Sequence, residues 1–413
     1  MKKNIYILSL ILLVFFVISF LTNIIGPLIP EIIEDFELSL TMVAVLPFAF
    51  FLAYGIMSIP SGILIEKYSE QQLMIAAFLI SFIGAISLAL FPNYLVAIVS
   101  LFLIGCGMAI LQVAVNPLLR TAGGEENFAF YSVVGQLFFG LASFLSPLVY
   151  SKIVLDLEGK SHSTWVSHIF GKLIPEELPW ISMYWIFASV SILMVFLIRF
   201  FKFPKVELHE DEKSGSYAVY WKLLKDRNVI LYFIAIFFYV GSEQGVNNWV
   251  SEFLKTYHGY DPLTVGAQVI SRFWGFMTIG TLLGLLLLKL IDSRKVLIGF
   301  TFAAMISLTA ALFGSGNVAI WAFPLIGFFA SVMWSIIISL ALNSVKNHHG
   351  SLSGIIITGI IGGAVWPLII GSIGDVMGLK TGMILLYVSF GYILSVGFWS
   401  KPLVTNRTID WKN

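Results

Sequence analysis

Charged side chains make up only 11% of this 413-residue chain, less than half of the roughly 25% usual in soluble globular proteins. That scarcity excludes a soluble enzyme and a disordered adaptor. Cysteine is nearly absent as well: Cys106 stands alone, so neither a disulfide framework nor a cysteine metal site is available. Neither sign of charge is in surplus, because 24 Lys and Arg face 23 Asp and Glu, which removes the basic surface of a nucleic-acid binder. What fills the chain is apolar: 58% hydrophobic and 15% aromatic residues, with mean hydropathy +0.93. Twelve spans of about 20 residues would need roughly 240 residues, close to that apolar share. The composition is that of a polytopic membrane protein.

Met1-Lys2-Lys3 followed by an apolar run imitates a secretory signal. The run continues to about Pro30 without a small-x-small cleavage site, so it is expected to be the first span and to be retained. Further apolar runs fall at 38–65, 71–91, 94–119, 128–154 and 180–202, then at 228–254, 262–290, 295–313, 318–344, 352–373 and 381–400. Runs of this length in hydrocarbon must be helices, since each backbone polar group needs an internal partner. The expected fold is an all-α membrane protein of twelve transmembrane helices in two six-helix bundles. Residues 1–202 would form the first bundle, 203–227 a charged cytoplasmic linker, and 228–413 the second. All but six of the 24 basic residues (Lys152, Lys160, Lys172, Lys255, Arg272 and Lys380) fall on the side of the termini, so both termini are expected in the cytoplasm of a multi-pass cell (inner) membrane protein. A shift of 222 residues lays Gly62 on Gly284, Gly105 on Gly327 and Gly140 on Gly362, which suggests that the two sets of six are repeats.

Four stretches carry a family resemblance. Ser58-Ile59-Pro60-Ser61-Gly62-Ile63-Leu64-Ile65-Glu66-Lys67 resembles the exit of helix 2 in the major facilitator superfamily. Leu111-Gln112-Val113-Ala114-Val115-Asn116-Pro117, Phe273-Trp274-Gly275-Phe276-Met277-Thr278-Ile279-Gly280 and Ile360-Ile361-Gly362-Gly363-Ala364 resemble its fucose/galactose/glucose–cation symporter branch. The resemblance implies a secondary active transporter that works by alternating access, binds a monosaccharide between the bundles and couples it to a proton or sodium ion. No enzyme activity, metal or other cofactor is implied. The expected partners are a sugar and the lipid bilayer, with the carrier acting as a monomer. Proton-coupled members usually carry one carboxylate in helix 1 and one in helix 4. The matching positions here are Gly26 and Gln112, neither of which titrates, and of the amides usual in helix 5 only Gln136 lies nearby.

Charge inside the hydrocarbon is unfavourable by at least about 2.5–3.5 kcal/mol, so it marks function by default. One residue of each sign stands out: Glu243 in span 7 and Arg272 in span 8, both roughly 15–18 Å below the outer surface at the helical rise. They are the candidate cation-coupling residues, with Glu243 binding the ion and Arg272 releasing it. A purely structural ion pair, or an Arg272 that binds an anionic solute such as a sugar acid or peptidoglycan fragment, are the other readings. Around Glu243, Gln244, Asn247 and Asn248 place four polar side chains in six residues, with pairs one turn apart. Asn23, Gln112, Asn116 and Gln136 are their counterparts in the first half. These amides supply the paired donors and acceptors that sugar hydroxyls require. Trp274 and Trp334 complete the candidate sugar site with aromatic faces.

Overall fold

The computed structural model describes residues 5–123, 128–159, 168–169, 172–201, 203, 217–344 and 349–403. Among these residues there are helices and connecting turns but no strand. Twelve helical segments are long and apolar enough to cross a membrane. Spans 1 to 6 are Ile5–Asp35, Leu40–Ile65, Glu70–Leu90, Tyr94–Val115, Phe130–Glu158 and Pro179–Phe200. Spans 7 to 12 are Arg227–His258, Pro262–Leu290, Ser293–Phe313, Gly316–Leu342, Ser351–Met377 and Leu379–Trp399. A short helix, Tyr217–Leu224, lies within the stretch expected to be the linker.

All twelve segments fall where the apolar runs do, but four run at least four residues past their expected ends. Span 1 continues beyond Pro30 to Asp35, span 5 to Glu158, span 7 to His258 and span 11 to Met377. Apolar composition ends where hydrocarbon ends, whereas a helix continues as long as its backbone bonds are made. Span 1 is also broken at Asn23 and Ile24 into helices Ile5–Thr22 and Ile25–Asp35. Pro27 explains the break: it has no N–H to offer the carbonyl of Asn23 four residues back, and its ring crowds that oxygen. The two prolines of the second piece, Pro27 and Pro30, then sit beyond the interruption.

The packing repeats across the chain. Span 4 packs on spans 2 and 3, and span 3 on span 6; correspondingly span 10 packs on spans 8 and 9, and span 9 on span 12. Span 1 lies against span 5 as span 7 lies against span 11. Gly105 and Gly327, paired by the 222-residue shift, do the same work. Each brings its helix onto a backbone carbonyl of the partner span, Phe50 O in one case and Phe273 O in the other, where a Cβ would collide. The two sets of six meet through span 2 on span 11 and span 5 on span 8, again exchanged by the repeat.

An even number of spans leaves both chain ends on one face, the terminal face. The opposite, far face is knitted together by polar contacts between the two sets. The Asp375 carboxylate at the end of span 11 accepts from the backbone N–H groups of Leu40 and Thr41, each at 2.8 Å, and from Thr41 Oγ1 at 2.5 Å. It thereby satisfies the unpaired donors that open span 2. Lys255 of span 7 forms an ion pair with Glu34 of span 1. Below them, Ser271 Oγ of span 8 donates to the Phe144 carbonyl of span 5 at 2.7 Å.

Candidate functional site

Between the two sets of six lies a cavity of about 420 Å³, lined by residues of spans 1, 2, 4, 5, 7, 8, 10 and 11. Its depth follows from the positions of its lining residues. Towards the terminal face it reaches Ser132, near the first residue of span 5, and Leu285, near the last of span 8. Towards the far face it stops at Asn23, Phe51, Gln244 and Trp274, each about 11 or more residues, or roughly 16 Å, short of the span ends. The cavity opens to the terminal face and is closed beneath the far-face contacts. Its size suits a small solute.

One carboxylate, Glu243, lines this cavity, and no Lys, Arg or His does so among the described residues. Glu243 Oε2 accepts from Tyr239 Oη at 2.7 Å, and Oε1 accepts from Gln244 Nε2 at 3.1 Å. Each of these hydrogen bonds would be worth about 1.5–3 kcal/mol to the ionised carboxylate. Gln244 is in turn met by Asn247, whose Nδ2 donates to Gln244 Oε1 at 3.4 Å and to Asn248 Oδ1 at 3.3 Å. Trp274 Nε1 of span 8 donates to Asn247 Oδ1 at 2.8 Å. The Trp274 ring lines the cavity, as does Trp334, whose ring centroid lies 6.0 Å from that of Tyr239.

The first half contributes amides without charge. Asn23 lines the cavity while its Nδ2 donates to Ser143 Oγ of span 5 at 2.9 Å. Gln112 accepts from Tyr54 Oη of span 2 at 3.1 Å, and both line the cavity. Gln136 of span 5 also lines it and is exposed. The side chain of Asn116 lies outside the described residues.

Three of the expected site residues, Arg272, Asn247 and Asn248, do not line the cavity. Arg272 does not meet Glu243. Its guanidinium donates to Gln268 Oε1 at 3.4 Å and lies 4.8 Å from the Trp321 ring centroid, away from the cavity. Position along a helix says nothing of the direction in which a side chain leaves the axis. Gln268 one turn earlier and an indole near the start of span 10 draw the Arg272 guanidinium towards the far face, away from Glu243. Asn247 and Asn248 are 0% and 1% exposed and do not line the cavity; Asn247 meets Gln244, Asn248 and the Trp274 indole of span 8, while Asn248 Nδ2 is buried with no hydrogen-bond partner among the described residues. Residues not singled out from sequence also line the cavity, among them Thr22, Tyr54, Tyr239, Thr278 and Ser335. Tyr239 carried a signal, four residues before Glu243 and on its face. Tyr54 was hidden among the aromatics of span 2.

Gly26, the position where the resemblance would place a helix 1 carboxylate, packs directly on the backbone carbonyl of Asn247. A Cβ there would collide with span 7, so in this conformation no side chain of any kind fits.

The sequence profile of the Major Facilitator Superfamily matches residues 11–367. The chain belongs to that superfamily. Among curated relatives, the glucose/galactose transporter of Brucella abortus is 30% identical over 405 residues, covering 95% of this chain and 93% of the relative. The L-fucose-proton symporter of Escherichia coli is 25% identical over 424 residues, covering 97% and 95%. Among solved structures, the major facilitator transporter FucP in its outward conformation superposes with a TM-score of 0.68 at 23% identity, covering 95% of this chain and 98% of that one. The twelve spans and the matched superfamily make this a multi-pass membrane protein of the major facilitator fold.

Proposed function

We propose that this major facilitator protein imports a monosaccharide by alternating access, coupled to a proton or sodium ion bound at Glu243. The observation that carries the reading is the cavity itself: a single carboxylate with both oxygens hydrogen-bonded, beside amides and two indole rings, between two six-helix sets. Indole faces pack on the C–H faces of a sugar, while Gln112 and Gln136 offer donors and acceptors to its hydroxyls. Names of the relatives support the same class, since one transports glucose and galactose and another carries L-fucose with a proton. Arginine 272, on which binding of a sugar acid depended, faces away, and no cation replaces it among the described lining residues. A neutral solute is therefore favoured.

Both termini are assigned to the cytoplasm of the inner membrane, supported by the excess of Lys and Arg on the terminal side. The terminal-face opening is then cytoplasmic, and the conformation is the one that releases its cargo inward. Residues 1–202 and 228–413 act as the two moving bundles and 203–227 as their linker. One coupled cation contributes about 2.3 kcal/mol per 100 mV of membrane potential, which suffices to concentrate a neutral sugar tens of fold.

The test is uptake of a labelled monosaccharide panel into proteoliposomes, each with an inward proton gradient, an inward sodium gradient, or neither. Accumulation of one sugar under one gradient is expected. No flux of any neutral sugar under any gradient would overturn the assignment.

A further inference from the structure

The amides of span 7 form a chain whose direction is set at one end. Asparagine and glutamine side chains can be turned either way, but an indole N–H only donates. Because Trp274 Nε1 donates to Asn247 at 2.8 Å, the atom it meets must be the amide oxygen. The Asn247 nitrogen is thereby directed to Gln244 Oε1 at 3.4 Å and, alongside it, to Asn248 Oδ1 at 3.3 Å. The Gln244 nitrogen is then left to face Glu243 Oε1, to which it donates at 3.1 Å. Three links thus run from a ring in the cavity wall to the carboxylate, each leaving the next residue one choice. With the second donor, Tyr239 Oη at 2.7 Å, both oxygens of Glu243 receive hydrogen bonds.

We infer that Trp274 and Asn247 are positioning residues for cation coupling: the indole N–H fixes the Asn247 amide so that Gln244 presents its N–H to Glu243. The inference deepens the transport reading and rests on Glu243 being the ion-binding group. It also reassigns Asn247, which is fully buried with its amide committed inside the protein, from solute contact to internal wiring. Trp274 serves two roles, as part of the cavity wall and as donor of its N–H to the chain. A solute that shifts the indole therefore shifts the amide chain, and with it the donor set on the carboxylate. Span 1 touches the same chain, because Gly26 rests on the Asn247 backbone. Closure of the far face and orientation of the amides are thereby tied to one residue.

Removing the indole N–H while keeping an aromatic ring isolates the link. In Trp274→Phe nothing holds the Asn247 oxygen towards span 8, the two amides are free to turn, and the Gln244 N–H is no longer held on Glu243. A carboxylate whose donor is no longer held in place binds a cation more tightly, so the cation concentration at half-saturation falls, by up to about tenfold for the full loss of one charge-assisted hydrogen bond. Asn247→Ala breaks the chain one link later and shifts the same quantity the same way. The double variant shifts it no further than either single one, the non-additivity expected of two residues acting in series.

The readout is infrared titration of the carboxyl stretch of Glu243 in purified, lipid-reconstituted protein, assigned by its loss in Glu243→Gln, with protons and separately with sodium. The other titratable side chains in the cavity wall, Tyr54 and Tyr239, absorb elsewhere. This measurement needs no flux, so it reports on the wiring even where sugar uptake fails, and uptake by the wild type reports separately on the transport reading. A shared, non-additive shift in Trp274→Phe and Asn247→Ala is the expected result. Half-titration unchanged in both, with folding and monodispersity retained, would overturn the inference, as would two independent and additive shifts.

Discussion

The two walls of the cavity are built on one repeated plan yet are chemically unlike. In the wall from spans 1 to 5, polar side chains satisfy one another within their own half. Asn23 is tied to Ser143 and Gln112 to Tyr54, and none of these groups is charged. The facing wall, from spans 7 to 11, holds the single carboxylate, the longest amide chain and both cavity indoles. Repetition therefore fixed the scaffold, as the equivalent contacts of Gly105 and Gly327 make plain, while charge in the cavity wall was left free to occupy either half. Among the described lining residues the carboxylate occupies the second, and Gly26 and Gln112 stand where the family resemblance would place carboxylates in the first.

The sharpest way to break this comparison is to remove its one charge. Glu243→Gln is expected to abolish accumulation of sugar against a gradient while exchange of sugar for sugar continues. Next in size are the indoles of the second wall: Trp334→Ala removes an aromatic face and raises the sugar KM by about tenfold, the equivalent of about 1–1.5 kcal/mol of ring packing, measured by initial uptake rates. Gln136 tests the first wall, since it is exposed in the cavity. Gln136→Ala is expected to raise KM about threefold, near the value of one neutral hydrogen bond, with the cation dependence unchanged.

A further contrast is between the two faces. Asp375→Asn weakens the carboxylate that closes span 11 on the start of span 2. The loss of charge at that helix start is expected to shift the conformational balance by about 1 kcal/mol towards an open far face, read as faster labelling of a cysteine introduced on the cavity wall by a reagent applied from that side. Smallest of all, Arg272→Ala is expected to leave sugar uptake and its cation dependence within error, because its guanidinium lies over Trp321 and outside the cavity.

Much of this was legible in the chain. Apolar run length located all twelve spans, because hydrocarbon thickness imposes itself on every helix that crosses it. Glu243 stood out for the same reason, since an acidic residue in mid-span is unfavourable without a purpose. Azimuth was not legible: the partners of Arg272 on its own helix and on span 10 decide where it points. Nor could the amides be sorted by residue type. Gln244 lines the cavity whereas Asn247 and Asn248, one turn further, are sealed within the protein, and only the indole of a different span reveals that Asn247 is wired inwards. The break in span 1 was within reach, since Pro27 stands four residues after Asn23, but a hydropathy window passes over it.

The most direct measurement is made on one set of proteoliposomes carrying wild type or Glu243→Gln, reading gradient-driven accumulation and sugar-for-sugar exchange side by side. Loss of accumulation with exchange retained is the expected result and places coupling in the second wall. Accumulation that survives in Glu243→Gln would contradict it and move the ion to a site elsewhere in the chain.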